Sequence, residues 1–349
     1  MTKPYFTVAV IAHQTEPYLP QALDSVFVQT FPGFECLMIV EESTDRSLEV
    51  CRQMERRDPR FKTVELPKSG SASVSRNYAM DHAAGEYIAF LDGDDRFKPE
   101  MLERAAALLE KHPGTDVLQF NGEEILEQPD GSLQPGRLLA NLPASVSGDT
   151  MTGPDLIRKM GNGGAVGGYT WLNICRTAFL RENRLYQNSG LLMEDFEWTP
   201  RCWFLAKHAL YLAESLYVYR RRPESVTTKN SARILHELGA EFAFVPPFLK
   251  AHDIPQDIRR IWANKWISVF IWFFFYPKNN RKYPMRDRRS VRAMLLESGT
   301  NALFREFIRL SSTPKRIGMT LFALPGGLLP ALFYFRLIYF PLLKIRRNP

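Results

Sequence analysis

The sequence is poor in cysteine, and the few cysteines it has form no recognisable pattern. Four occur in 349 residues, and no two of them make a CxxC pair. Thiols this few and this dispersed argue against both a disulfide framework and a zinc site. We therefore expect four reduced cysteines, as is usual in a cytosolic protein.

A signal peptide is also missing from the sequence. The first segment, MTKPYFTVAVIAHQ, has no apolar stretch long enough for one before Gln14. This predicts that the N-terminal part stays in the cytosol. With 45% hydrophobic and 24% charged residues, the composition is that of an ordinary globular protein.

Basic charge is concentrated towards the C-terminus. Residues 251–349 contain 18 lysines and arginines against 5 acidic residues, a net charge of +13, although the whole chain carries only +7. Such asymmetry indicates an anionic partner, either a membrane surface or a nucleic acid. No nucleic-acid-binding motif accompanies the charge, so we expect no nucleic acid partner.

The first 120 residues alternate short apolar runs with segments of helical periodicity, which predicts a parallel α/β sheet. The runs that predict strands are residues 6–12, 34–40, 63–66 and 87–91. In an open parallel sheet, ligands bind beyond the carboxyl ends of the strands. Polar residues occupy these ends at 12–14, 41–43 and 92–95. We expect these three groups to share one rim and to form a nucleotide pocket.

The segment FLDGDD at 90–95 is the most specific motif. Hard divalent cations prefer oxygen ligands, and one or two carboxylates together with substrate phosphates can hold Mg²⁺ or Mn²⁺. Asp and Gly are also the commonest turn residues, so an acidic turn is the alternative. The position of the motif directly after an apolar strand favours the metal site.

Several segments, taken in order, resemble the family 2 glycosyltransferases, whose catalytic domain has the GT-A fold. The resemblance covers residues 5 to about 228 and rests on YLPQALDSVFVQTF, FECLMIVEESTDRS, SASVSRNYAMDHAAGEYIAFLDGDD, WLNICRTAFL, MEDFEW and YVYRRRPESVTT. It implies a GT-A domain over residues 1–230, with a nucleotide-binding half at 1–120 and an acceptor half at 121–230. A mainly helical, basic and aromatic region at 231–349 would follow.

The resemblance also implies roles for individual residues. Asp94 corresponds to the metal ligand of the family, and Asp92 lies nearer the ribose and shares the metal. Glu41 stands where an aspartate usually contacts the base, Arg76 corresponds to an arginine that holds the nucleotide, and Asp195 corresponds to the catalytic base. The expected cofactor is Mn²⁺ or Mg²⁺.

Other charged residues have open roles. Glu194, next to the predicted base, is a secondary candidate. Arg220, Arg221 and Arg222 could contact donor phosphates or an anionic acceptor, but a solvated strand end is an equally good interpretation. The glycine-rich run at 161–168 lacks the Lys-Ser/Thr ending of a phosphate loop, so we interpret it as a loop near the acceptor.

Three segments depart from the family pattern, and the mildest departure is the tryptophan that ends MEDFEW. The first strand ends in Ile-Ala-His-Gln instead of a Pro-x-Tyr-Asn-like sequence, and the second strand is followed by Glu-Glu-Ser without the usual glycine. Since Glu41 is longer than the usual aspartate, it could shift or relax the recognition of the base. We expect a UDP-sugar as the donor.

These features predict an inverting transferase of the hexosyltransferase type. Its acceptor would be a hydroxyl of a glycan or a lipid-linked glycan in the synthesis of bacterial surface polysaccharide, as in related transferases. A sugar-nucleotide nucleotidyltransferase is an alternative, but the chain lacks the Gly-rich, Arg-containing loop that such enzymes carry after the first strand. A pseudoenzyme that binds membrane or nucleic acid through its basic tail is another.

The C-terminal region contains 19 uncharged residues at 317–335, interrupted by Pro325, Gly326, Gly327 and Pro330. Length alone would allow a membrane span. A buried or re-entrant segment and a helix lying in the interface are the other possibilities, and the breaks together with the basic KIRR at 344–347 favour the interface. We therefore expect a cytoplasmic enzyme attached peripherally to the inner face of an anionic membrane.

Overall fold

A computed structural model describes most of the chain. The described residues are 3–128, 130–139, 142–161, 168–189, 191, 193–222, 231–240, 244–276 and 284–347. The chain divides into two compact units, Met1–Ser225 and Val226–Pro349. The sequence analysis placed this boundary at 230/231.

The first unit is built on one mixed sheet. Its strands are β1 (Phe6–Ala12), β2 (Phe34–Glu41), β3 (Phe61–Leu66), β4 (Tyr87–Asp92), β5 (Arg96–Phe97), β6 (Val117–Glu127), β7 (Leu133–Leu139), β8 (Asn173–Arg176) and β9 (Ala209–Arg221). Their order is β3-β2-β1-β4-β8-β6-β9-β5, and β7 pairs with β6. The neighbours β3, β2, β1 and β4 are all parallel, whereas β8 is antiparallel to both β4 and β6. The α/β fold predicted from the sequence is confirmed.

Helices cover the sheet of the first unit. They are α1 (Leu19–Phe27), α2 (Ser47–Arg57), α3 (Ala72–His82), α4 (Met101–Leu109), α5 (Gly153–Gly161), α6 (Thr177–Glu182) and α7 (Asp195–Leu205). Strands β2 and β1 are buried almost throughout, as expected for parallel strands covered on both faces. The backbone N–H of Ser73 donates to the side chain of Ser71, which caps α3 and fixes its start.

Gly85 serves a different purpose from the one its position suggests. The sequence predicts a left-handed C-terminal cap there, but Gly85 is not among the residues with positive φ, and α3 already ends before it. Instead, a Cβ on Gly85 would lie 2.4 Å from the backbone nitrogen of Thr7. Glycine is required because the chain passes directly against β1.

The second unit is helical in its described residues, as the sequence predicts. Its helices are α8 (Ser231–Ala240), α9 (Val245–Ala251), α10 (Gln256–Phe275), α11 (Met285–Leu296), α12 (Ser298–Leu310), α13 (Thr313–Ala323), α14 (Leu328–Tyr334) and α15 (Phe340–Arg347), with a π-helical turn at Phe335–Tyr339. The aromatic face of α10 is buried, and Phe270 and Phe274 pack edge-on against Phe322.

The uncharged stretch at 317–335 is divided between two helices, α13 and α14. Gly326, with a φ of 66°, forms the turn between them, and a Cβ on Gly318 would lie 2.3 Å from the ring of Phe335. The two helices therefore pack closely against each other. Among the helices of the described residues, none is both long enough and apolar enough to cross a bilayer.

Candidate active site

Arg76 is the centre of a buried charge cluster. It lies on α3, is only 3% exposed, and contacts Asp92 at the end of β4 as well as Glu194 and Asp195 at the start of α7. Its Nη2 donates to Asp92 Oδ1 over 2.8 Å, and its Nη1 lies 3.5 Å from Asp195 Oδ1. Burial alone would lower the pKa of Arg76, but the three carboxylates more than offset it and hold the guanidinium charged.

This cluster joins two predicted parts of the site. The proposed donor residue Asp92 and the proposed base Asp195 share one arginine, although they are 103 positions apart in the chain. Glu194, a secondary candidate in the sequence, is the buried partner of the same arginine. Glu194 accepts from Nη1 of Arg76, whereas Asp92 accepts from Nη2, so both terminal nitrogens of the guanidinium are held.

Asp195 is held by two contacts, both to its Oδ1. Thr170 donates its hydroxyl to that oxygen, and Arg76 approaches it. Gln187 donates to the Thr170 hydroxyl over 2.9 Å, which orients it. Burial raises the pKa of Asp195 to about 7, against the lowering effect of Arg76, and Glu194 adds to the rise. A carboxyl group with this pKa can exchange a proton near neutral pH.

The backbone at the start of α7 lies directly against the backbone at Gly168. A Cβ on Gly168 would lie 2.8 Å from the carbonyl oxygen of Asp195. Gly168 is the last residue of the glycine-rich run, and it is needed here because of space. The remainder of that run, residues 162–167, lies outside the described residues.

The three aspartates of FLDGDD have different surroundings. The side chains of Asp92 and Asp94 are 30% and 21% exposed, whereas Asp95 is only 1% exposed. Asp95 accepts from the Tyr217 hydroxyl over 2.7 Å and from the Arg220 backbone N–H over 2.7 Å. Asp95 therefore ties the motif to β9, and the first two aspartates present oxygens to the rim.

Arg222, the last of the three adjacent arginines at 220–222, forms an ion pair with Asp94. Its Nη2 donates to Asp94 Oδ2 over 2.5 Å, and its guanidinium lies 4.7 Å from the centre of the Tyr18 ring. Burial raises the pKa of Asp94 even though Arg222 opposes the rise. The ion pair places the Arg222 guanidinium beside Asp94, the carboxylate that the family resemblance assigns to metal binding.

The other two arginines of this group, Arg220 and Arg221, have different surroundings. Arg220 is 6% exposed and donates to the Asp94 carbonyl and to Gln21. Arg221 is exposed on the next position of β9. Because side chains alternate along a strand, Arg220 and Arg222 point to the same side and Arg221 points away. This period of two distinguishes Arg220 and Arg222 from Arg221.

Glu41 is buried at the end of β2 and is bound by the loop before α3. Its carboxylate accepts from the backbone N–H and hydroxyl of Ser69, from the N–H of Gly70 and from the Ser75 hydroxyl. These bonds fix the position of the loop. Whether Glu41 also contacts a nucleotide base remains a prediction.

The unusual end of β1 is linked to the unusual end of β2. Gln14 has a φ of 54° and its backbone N–H donates to the Ser43 hydroxyl over 3.1 Å. His13 lies 3.4 Å from the same hydroxyl. The two departures from the family pattern therefore occur as interacting neighbours on the rim.

The residues at the end of β4 fit a hard divalent cation that is shared with a substrate. Asp92 and Asp94 supply carboxylate oxygens, the ligand type preferred by Mg²⁺ and Mn²⁺. Within the described part of the chain, no three His, Cys, Asp or Glu side chains converge to hold a cation by themselves. Nearby, Thr15 Oγ1 and Arg222 Nε are buried and have no hydrogen-bond partner among the described residues. A site with two carboxylates and unused donors fits a cation accompanied by diphosphate oxygens.

Comparison with known proteins shows which proteins the chain is similar to. Residues 7–134 match the model for glycosyl transferase family 2. The uncharacterized glycosyltransferase YibD of Escherichia coli (strain K12) is 26% identical over 246 residues, 70% of this chain and 67% of that protein. The putative teichuronic acid biosynthesis glycosyltransferase TuaG of Bacillus subtilis (strain 168) is 31% identical over 130 residues, 37% of this chain and 50% of that protein.

The fold is similar to that of a solved transferase. The crystal structure of S. aureus TarS 1-349 in complex with UDP-GlcNAc has a TM-score of 0.70 and 21% identity, and the match covers 94% of this chain and 89% of that chain. The chain spans half to two thirds of the length of YibD and TuaG. Residues 7–134 are therefore similar to glycosyltransferase family 2, and the fold of the chain is similar to that of TarS.

Proposed function

We propose that this enzyme is an inverting glycosyltransferase. It transfers a sugar from a UDP-sugar to a hydroxyl of a glycan or lipid-linked acceptor in the synthesis of cell-surface polysaccharide. The observation that carries the proposal is the contact of Arg76 with both Asp92 and Asp195. One buried side chain thereby fixes the distance between a donor-binding carboxylate and a base whose pKa is near neutral.

On the donor side, Asp92 and Asp94 would hold Mn²⁺ or Mg²⁺, with Asp92 also near the ribose. When bound, the cation would neutralise charge on the diphosphate leaving group. Arg222 lies beside Asp94, where one of its N–H groups would donate a hydrogen bond to a phosphate oxygen of the donor. Glu41 and Arg76 would hold the nucleotide from the β2 and α3 sides.

On the acceptor side, Asp195 acts as the general base. It accepts the proton of the acceptor hydroxyl while that oxygen forms a bond with the anomeric carbon of the sugar. The bond from the same carbon to the diphosphate oxygen breaks, and its electron pair leaves with the nucleotide. A single displacement inverts the anomeric centre, so an α-linked donor yields a β-linked product.

The names of similar proteins support the choice of substrates. TarS was crystallised with UDP-GlcNAc, and TuaG is named for teichuronic acid biosynthesis. A uridine donor and a surface-polysaccharide acceptor are therefore the first to be tried. Peripheral attachment to the cytoplasmic face of an anionic membrane would bring the enzyme to a lipid-linked acceptor, and the charge of +13 at 251–349 supports it.

The proposal is tested by measuring the release of nucleoside diphosphate from a panel of nucleotide sugars. We expect release from a UDP-sugar in the presence of Mn²⁺ or Mg²⁺, its loss on chelation, and a much lower rate in Asp94→Asn. The exposed Asp24, also on the first unit, gives the control variant Asp24→Asn, which is expected to retain the wild-type rate. Release that depends on neither metal nor Asp94 would reject the donor site.

The pH dependence of transfer follows from the pKa of Asp195. A base must be deprotonated, so the rate is expected to rise with pH, to reach half of its maximum near pH 7 and to level off above it. The initial rate at subsaturating donor and acceptor, measured between acid and alkaline pH, gives this profile. Asp195→Asn should remove the rise. A wild-type rate that is already maximal in acid would contradict the assignment.

Removing Arg222 is expected to weaken the binding of nucleoside diphosphate. A hydrogen bond to a charged group contributes about 1.5–3 kcal/mol, so Arg222→Gln should lower the affinity for UDP by at least about tenfold. Titration calorimetry with UDP measures the change. Arg221→Gln is the matched control, because Arg221 is exposed on the opposite side of β9, and it should bind UDP like the wild type. Equal affinities in both variants would exclude Arg222 from the donor site.

A further inference from the structure

The second unit exposes an apolar ridge made of Leu329, Phe333 and Leu337. These residues are 66%, 65% and 59% exposed. They lie four positions apart on α14 and the π-helical turn that follows it, and this spacing puts them on one face. Ile338 and Leu342 are exposed beside them. Several large apolar side chains exposed together mark an interaction surface.

The opposite face of the same helix is apolar too. Leu328, Ala331 and Leu332 are buried, and Phe335 packs against α10. A helix that is apolar on all sides is stable either inside a protein core or against lipid. In α14 the buried face already forms part of the core of the unit. The ridge is the exposed face, and it is the one that lipid could cover.

A cavity of about 290 Å³ borders the ridge and contains cationic groups. Its lining residues are Met285, Arg289, Arg292, Gly326, Leu328 and Leu329. None of these described residues is acidic. Arg292 donates to the carbonyls of Phe322 and Leu324 at the end of α13, which holds its guanidinium in place. Arg289 is exposed at the cavity. The cavity thus offers cationic donors next to apolar side chains.

We propose that the ridge and this cavity form one docking surface for an anionic membrane. Leu329, Phe333 and Leu337 enter the boundary between headgroups and acyl chains, and Arg289 and Arg292 bind lipid phosphate oxygens. The inference rests on the peripheral attachment proposed above and names the residues that make it.

The charge of the region selects the lipid surface over other occupants. Two copies of this chain meeting through this region would bring together two segments of +13 each, which opposes self-association. A nucleic acid would satisfy the arginines but would leave the ridge exposed to water. An anionic membrane offers both phosphates and an apolar phase.

The test uses the full chain and vesicles, with sedimentation as the measurement. Wild-type protein is expected to sediment with vesicles that contain phosphatidylglycerol, to bind much less to vesicles of phosphatidylcholine alone, and to dissociate as salt increases. A triple variant, Leu329→Ser with Phe333→Ser and Leu337→Ser, should bind at least about tenfold more weakly. Arg289→Gln should lower binding by about fivefold.

Matched controls come from exposed residues of the first unit. Leu138→Ser, where the leucine is 61% exposed, and Arg56→Gln should bind vesicles like the wild type. All variants should release UDP from the donor at the wild-type rate in the absence of vesicles, so a failure of docking is distinguishable from a failure of the sugar-transfer proposal. Thermal unfolding at the wild-type temperature shows that a variant is folded.

Three results would overturn the docking surface. The first is wild-type protein that does not bind anionic vesicles. The second is a folded ridge variant that binds as well as the controls. The third is a wild-type dimer in light scattering that dissociates in the ridge variant, since this would identify a second copy as the occupant.

Discussion

Replacing Asp195 with Asn is expected to lower the rate of sugar transfer by about 10²–10⁴-fold, the usual contribution of a general base. The affinity for UDP should change little, because the proposed donor residue Asp92 contacts Nη2 of Arg76, whereas Asp195 lies at Nη1. The variant should also fold at least as stably as the wild type. Asp195 is one of three carboxylates that share one arginine, and burial already disfavours its ionised form.

The measurement is the steady-state rate at saturating donor, combined with calorimetric titration of UDP. Asp195→Glu keeps a carboxylate and should retain more activity than the amide. An Asn variant that transfers sugar at the wild-type rate would remove Asp195 from the mechanism. Loss of UDP binding together with transfer would show instead that Asp195 is needed for the structure of the donor site.

Replacing Arg76 with Met is expected to destabilise the protein by about 3–5 kcal/mol near pH 8, because breaking a buried ion pair leaves uncompensated charge. Three carboxylates would lose their shared cation. Without Arg76 their pKa values must rise, so protonation relieves the repulsion and the deficit should shrink as the pH is lowered. The deficit is measured as the difference in the free energy of unfolding between wild type and variant. Chemical denaturation followed by tryptophan fluorescence gives it at about pH 8 and again at a lower, acidic pH.

The control for this prediction is a surface ion pair. Arg46 pairs with Glu16, and its side chain is 75% exposed, so Arg46→Met should have little effect on stability. If Arg76→Met were as stable as Arg46→Met at both pH values, the cluster would not be the electrostatic centre of the domain.

The sheet could be predicted because its signals are local. Each parallel strand is a short run of apolar residues, and the order of strands and helices is enough to indicate one rim. The prediction started β3 two residues late, at position 63, because Phe61 and Lys62 precede the most regular part of the run. The left-handed conformation assigned to Gly85 was wrong because the constraint there comes from β1, which is distant in sequence.

The pairing of charges in the site could not be predicted in the same way. Arg76 and Glu194 are 118 positions apart, and nothing in the sequence around either residue specifies the other. Asp92, Asp94 and Asp95 cannot be distinguished by residue type. The fold buries Asp95 against Tyr217 and leaves the other two on the rim. The sequence resemblance assigns Glu41 to base binding. It could not predict the hydrogen bonds from Ser69 to the Glu41 carboxylate, because these depend on the conformation of the loop before α3.

We propose that Arg76, through its contacts with Asp92 and Asp195, joins a donor site formed by Asp92 and Asp94 to a base at Asp195. The most direct test is a calorimetric titration of UDP, with Mn²⁺ present, into the wild type, Asp94→Asn and Asp195→Asn, with the transfer rate measured on the same samples. We predict that both variants lose transfer, that Asp94→Asn also loses UDP binding, and that Asp195→Asn retains it. If both variants bound UDP as the wild type does, or if either still transferred sugar at the wild-type rate, this division of roles would be contradicted.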